Sequence, residues 1–82
     1  MSENKIIITK EEQKWIASLK RLAKKCPKSL LLFSWSNSFV VFKEVNGKDA
    51  TIDSISGIRN DGGDPNYGEE VWWEEDVNII FE

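Results

Sequence analysis

The chain has 82 residues and a mass of 9.4 kDa, with 40% apolar and 30% charged residues, a formal net charge of −3, one cysteine and no histidine. This length suits one small domain spanning residues 1–82 with a modest core, because surface scaling buries roughly 60% of the unfolded chain's surface at about this size. Four tryptophans and moderate charge exclude a disordered chain, the lone cysteine excludes a disulfide scaffold, and the missing histidine removes most hydrolase triads and zinc sites.

Ile6, Ile7 and Ile8 are three consecutive β-branched residues, which predict a short strand or extended arm. The same run is too short for a signal-peptide core, and no stretch approaches the length of a membrane span. A helix begins directly after it. In Thr9-Lys10-Glu11-Glu12 the Thr9 hydroxyl can accept from the Glu12 N–H while the Glu12 carboxylate accepts from the Thr9 N–H, the reciprocal arrangement of a capping box. Trp15, Ile16, Leu19, Leu22, Ala23 and Cys26 recur at steps of one, three or four, forming one apolar stripe. Pro27 disfavours helical geometry at Cys26, so the helix is expected over roughly Lys10 to Cys26.

Beyond Pro27 the pattern changes to short continuous apolar runs. Leu30 to Trp35 and Phe39 to Phe42 flank Ser36-Asn37-Ser38 and predict a hairpin. Asn46-Gly47 signals a type I′ turn, in which both central residues take positive φ, leading into a third strand near Ala50 to Ile55. Arg59 to Glu70 carries Gly62, Gly63, Pro65 and Gly68 and is expected to be a long loop. Strand character is expected again at Val71 to Trp73 and at Val77 to Phe81.

The expected fold class is α+β: one N-terminal amphipathic helix packed on an antiparallel meander of about four strands, with a short N-terminal strand as a possible addition. The first hairpin is apolar on both faces, and one helix about 10 Å across covers only one face of a sheet nearly 20 Å wide. The other face needs cover from the tryptophan-bearing C-terminal segment, a second copy of the chain or a partner protein.

Charge is distributed unevenly along the sequence. From Met1 to Lys43 nine basic residues face three acidic ones, a net +6, whereas from Glu44 to Glu82 two basic residues face eleven acidic ones, a net −9. Such asymmetry marks an interaction surface unless the two halves neutralise each other in the fold.

Trp72 and Trp73 stand among carboxylates at Glu69, Glu70, Glu74, Glu75 and Asp76. Adjacent strand residues point to opposite faces, so at most one indole would enter a core there. The other, with Trp35, would present an aromatic anchor inside an acidic rim, which suits a basic protein partner or a second copy in a homodimer. Lys14, Lys20, Arg21, Lys24, Lys25 and Lys28 offer an alternative, a basic helix face for nucleic-acid phosphates, although eleven carboxylates downstream oppose it.

Asn60 to Asn66 lacks the spacing of a calcium loop, so no metal site is expected, and no cofactor is implied. Glu70 and Glu74 are an eligible carboxylate pair, but 82 residues hardly enclose a substrate cleft, so no catalytic residue, small-molecule substrate or enzymatic activity is expected. Cys26, on the apolar stripe, is expected to be an inert core thiol in a reducing, cytoplasmic setting without membrane attachment. The composition fits a small interaction module of the kind found among inhibitors, immunity proteins and phage-type accessory proteins.

Overall fold

The computed structural model describes residues 4–82. The chain is α+β, in the order β1 (Asn4–Ile8), α1 (Lys10–Lys24), β2 (Leu30–Trp35), β3 (Ser38–Val45), β4 (Lys48–Ser56) and β5 (Val77–Phe81). Two short 3₁₀ turns, Tyr67–Glu70 and Glu74–Asp76, precede β5. Contacts divide the chain into two compact units. One comprises the chain through Cys26 together with Glu70–Glu82, and the other comprises Pro27–Glu69.

In the first unit, β1 and β5 form a two-stranded parallel sheet, with Asn4 opposite Val77 and Ile8 opposite Phe81. The Glu82 N–H donates to the Ile8 carbonyl at 3.0 Å, and Asn4 Nδ2 donates to the Asp76 carbonyl at 3.2 Å, closing both ends of the pair. At the Ile8 end, Gln13 Nε2 also donates to the carbonyls of Ile8 (3.1 Å) and Glu82 (3.4 Å), tying the first turn of α1 to the strands. The capping box is formed in full: Thr9 Oγ accepts from the Glu12 N–H at 3.1 Å, and Glu12 Oε1 accepts from the Thr9 N–H at 2.9 Å. The helix ends at Lys24, with Lys25 as its C-cap, so Cys26 lies outside it. The restriction that Pro27 places on the preceding residue accounts for this shorter end.

In the second unit, β2, β3 and β4 form an antiparallel meander. The β2–β3 turn is Ser36-Asn37, with Asn37 at φ 63°, and the β3–β4 turn is Asn46-Gly47 at φ 52° and 81°, the pair of positive φ values that type I′ requires. Register places Leu31, Phe33 and Trp35 on one face with Val40 and Phe42, and Leu30 and Leu32 on the other with Phe39 and Val41. The register shifts between Val41 and Phe42, which oppose Asp53 and Thr51, so Ile52 is the extra residue of a bulge.

Two expectations are corrected here. The meander has three strands, because β5 pairs with β1 across the termini. Val71–Trp73 forms no strand; its chain is taken up by the 3₁₀ turns on either side, with the Glu69 N–H donating to the Asn66 carbonyl at 3.0 Å and the Asp76 N–H to the Trp73 carbonyl at 2.8 Å. Val and Trp favour strands, but this segment pairs with neither sheet.

No described residue is buried. A domain normally buries its apolar surface between two packed layers, and a three-stranded sheet by itself is one layer. The expected modest core is therefore absent among the described residues. Ile16, Leu19 and Leu22 on α1, and Leu32, Trp35 and Ile55 on the meander, are all exposed. Cys26, expected in a core, is exposed as well and lies beyond the C-cap of α1.

Candidate functional site

The fold regroups the charges that the sequence separates. Among the described residues, the first unit carries Lys5, Lys10, Lys14, Lys20, Arg21, Lys24 and Lys25 against Glu11, Glu12, Glu70, Glu74, Glu75, Asp76 and Glu82, seven of each sign. The second carries four cations (Lys28, Lys43, Lys48, Arg59) against six carboxylates (Glu44, Asp49, Asp53, Asp61, Asp64, Glu69), a net −2. The asymmetry of +6 and −9 along the chain thus becomes near neutrality in each unit, because β5 and the segment before it join the basic helix.

Of the expected partner-binding residues, Glu70, Trp72, Trp73, Glu74, Glu75 and Asp76 lie together in the first unit. Trp72 is 62% exposed and Trp73 56%. Trp73 stands in extended geometry at the N-cap of the second 3₁₀ turn, so the two indoles are presented from a bend between turns. Glu74 and Glu75 follow directly and are exposed, while Asp76, whose carbonyl is held by Asn4, is half-buried. The result is an aromatic pair framed by carboxylates.

Trp35 and Glu69 belong to the second unit. Trp35, 60% exposed, ends an aromatic row on one face of the meander, with ring centroids 5.7 Å from Phe33 to Trp35 and 5.5 Å from Phe33 to Phe42. Sequence reasoning named Trp35 but missed Phe33 and Phe42. The signal was there in the two-residue alternation of β2, once the turn fixed which residues of β3 faced them.

The basic residues Lys14, Lys20, Arg21, Lys24 and Lys25 are all exposed on or just beyond α1, whereas Lys28 falls in the second unit. The Thr9, Glu11, Glu12 and Trp15 side chains line an open depression of about 430 Å³ at the start of α1. Two carboxylates there, and the capping box that already engages the Glu12 N–H, make it a poor seat for an anion.

A second depression, about 290 Å³, is lined by Arg59, Asn60, Asp61 and Tyr67. Its floor is a hydrogen-bonded loop. Ser34 Oγ lies 2.8 Å from both Asn60 Oδ1 and Asp61 Oδ1, so its single O–H donates to either of the two. Asn60 Nδ2 donates to the carbonyls of Ser38 and Ile58, both at 3.2 Å, and Asn60 Oδ1 accepts from the Gly62 N–H at 2.8 Å. The Ser34 hydroxyl, followed by the Gly63 N–H, holds the Asp61 carboxyl below its ordinary value of 3.8. This network fixes the loop after β4 against the end of β2. Among the described residues, no group of three or more histidine, cysteine, aspartate or glutamate side chains is placed to hold a metal ion, and no helix is long and apolar enough to cross a membrane.

The chain matches no protein-family model, and comparison with curated proteins and solved structures found no match.

Proposed function

We propose that the chain is a small non-enzymatic interaction module, in role an inhibitor, immunity or phage-type accessory protein. It binds a basic macromolecular partner, or itself, through the aromatic and acidic segment from Glu70 to Asp76. The observation that carries this reading is the exposure of Trp72 and Trp73 from a bend rimmed by Glu70, Glu74 and Glu75. Exposed tryptophan is an interface anchor that gains most when desolvated, and the carboxylates around it favour a cationic surface and speed encounter with it. Trp35 and Glu69 belong to the other unit. The lone Cys26 fits work in a reducing cytoplasm.

The test is capture by immobilised chain, from host lysate and of labelled copies of itself. Trp72→Ala and Trp73→Ala are expected to abolish capture with the circular dichroism spectrum unchanged. Capture undiminished in both variants, or loss of fold in both, would refute the reading.

A second reading is supported by the uniform exposure of the cations on α1. In it, Lys14, Lys20, Arg21, Lys24 and Lys25 contact nucleic-acid phosphates. Binding of random DNA or RNA should then fall steeply with salt and vanish in the triple variant Lys20→Glu, Arg21→Glu, Lys24→Glu.

A further inference from the structure

We infer that Asn46 is a site of spontaneous modification: the β3–β4 turn converts its own Asn46-Gly47 linkage, through a cyclic imide, into a mixture of aspartyl and isoaspartyl linkages. This goes beyond the binding reading above and does not depend on it.

The turn supplies what the reaction needs. The nucleophile is the Gly47 main-chain nitrogen, and glycine leaves it unhindered, with nothing within 4 Å of the position a Cβ would occupy. Asn46 and Gly47 are both exposed, and among the described residues no hydrogen bond engages the Asn46 side-chain amide or the Gly47 N–H. Water and hydroxide therefore reach both. The turn lies beyond the last pair of the hairpin, Val45 with Lys48, and every residue from Glu44 to Asp49 is exposed. The backbone rotation at Asn46 that brings the nitrogen onto Cγ thus needs only local opening.

The other asparagines lack this combination. Asn37 shares the positive φ, at 63°, but precedes Ser38, which has a side chain and is already paired with Trp35 in the sheet. The Asn60 amide is held, its Nδ2 donating to the carbonyls of Ser38 and Ile58, and the Asn4 amide donates to the Asp76 carbonyl. Asn66 and Asn78 precede Tyr67 and Ile79, whose bulk crowds the attacking nitrogen.

The reaction balances with water alone. The Gly47 nitrogen loses its proton to hydroxide and bonds to Asn46 Cγ, the Cγ–Nδ2 bond breaks, and ammonia leaves. Water then opens the imide. Cleavage at Cγ leaves an aspartate in the normal chain, whereas cleavage at the main-chain carbonyl leaves the chain running through Cβ and Cγ, with one extra backbone carbon. Asp-Gly suits a type I′ turn as Asn-Gly does, so the first product keeps the hairpin. The second does not, because a two-residue turn has no room for another main-chain atom while Val45 stays opposite Lys48. Either product adds a carboxylate beside the Glu44–Asp49 pair.

The experiment is incubation of the full chain at 37 °C and pH 8, followed by peptide mass spectrometry that distinguishes the two linkages. The segment holding Asn46 should gain one mass unit before any other asparagine-containing segment, with ammonia released in equal amount and a rate that rises in proportion to hydroxide. Asn46→Gly keeps a Gly-Gly turn of the same type and should show no gain there. Gly47→Ala should slow the gain about tenfold, because its Cβ crowds the nitrogen. The isoaspartyl form, isolated by ion exchange, should lose amide-exchange protection at Val45 and Lys48, and the aspartyl form should keep it. An Asn46 that survives while another asparagine reacts would overturn the inference. So would a native rate below about a hundredth of that in urea, since the folded turn would then be closed to the reaction. An isoaspartyl form with both amides still protected would refute the loss of the hairpin.

Discussion

Removing the Thr9 hydroxyl tests whether α1 is held by local forces. A helix of 15 residues is marginal in isolation, and here none of its residues is buried, so its terminal hydrogen bonds carry an unusual share of its stability. Thr9→Ala deletes the 3.1 Å acceptor for the Glu12 N–H and leaves the Glu12 carboxylate without the geometry that the cap fixed. Both bonds are exposed, which sets the loss at about 1 kcal/mol, or roughly fivefold in the equilibrium for opening the helix. Amide hydrogen exchange measures this directly. Protection of the α1 amides should fall about fivefold while the β3 amides, in the other unit, keep theirs, since local opening needs no global unfolding. Unchanged α1 protection, or an equal fall in β3, would refute the view that α1 opens by itself. Glu12→Gln should lose less than Thr9→Ala, because its side-chain carbonyl can still accept from the Thr9 N–H.

The remaining predictions concern the meander. Gly47 has φ +81° and open space where a Cβ would stand, so Gly47→Ala should cost only the left-handed penalty, about 1–2 kcal/mol, read as a lower urea midpoint with unchanged slope. An unaltered midpoint would show that the turn is not type I′ in solution. Asp61, whose folded carboxyl is depressed, adds stability above its ordinary value of 3.8, and that contribution disappears as pH falls through the lower folded value. A carbon-detected NMR titration should therefore give an Asp61 midpoint below 3.8, moving back toward it in Ser34→Ala. An unmoved midpoint in that variant would remove Ser34 as the principal cause.

The sequence by itself determined what neighbours in the chain decide. The capping box at Thr9 and Glu12, the stop imposed by Pro27, the type I′ turn at Asn46-Gly47 and the β2–β3 hairpin each rest on residues a few positions apart, whose geometry is dictated by sterics and local hydrogen bonds. Of the candidate site, the identities of Trp72, Trp73 and their carboxylates were legible, as was the apolar character of both faces of the hairpin. Their setting was not. Val71–Trp73 has strand-like composition, and only the absence of a neighbouring strand to pair with it leaves it as a bend. The pairing of β1 with β5 joins residues 73 positions apart, from Asn4 with Val77 to Ile8 with Phe81, and no local pattern announces a partner at that separation. That one tertiary pairing places the acidic segment and the basic helix in a single unit. A sequence that reads as a dipole of +6 and −9 thereby becomes two nearly neutral units, because net charge along a sequence follows chain order while an electrostatic surface follows position in space.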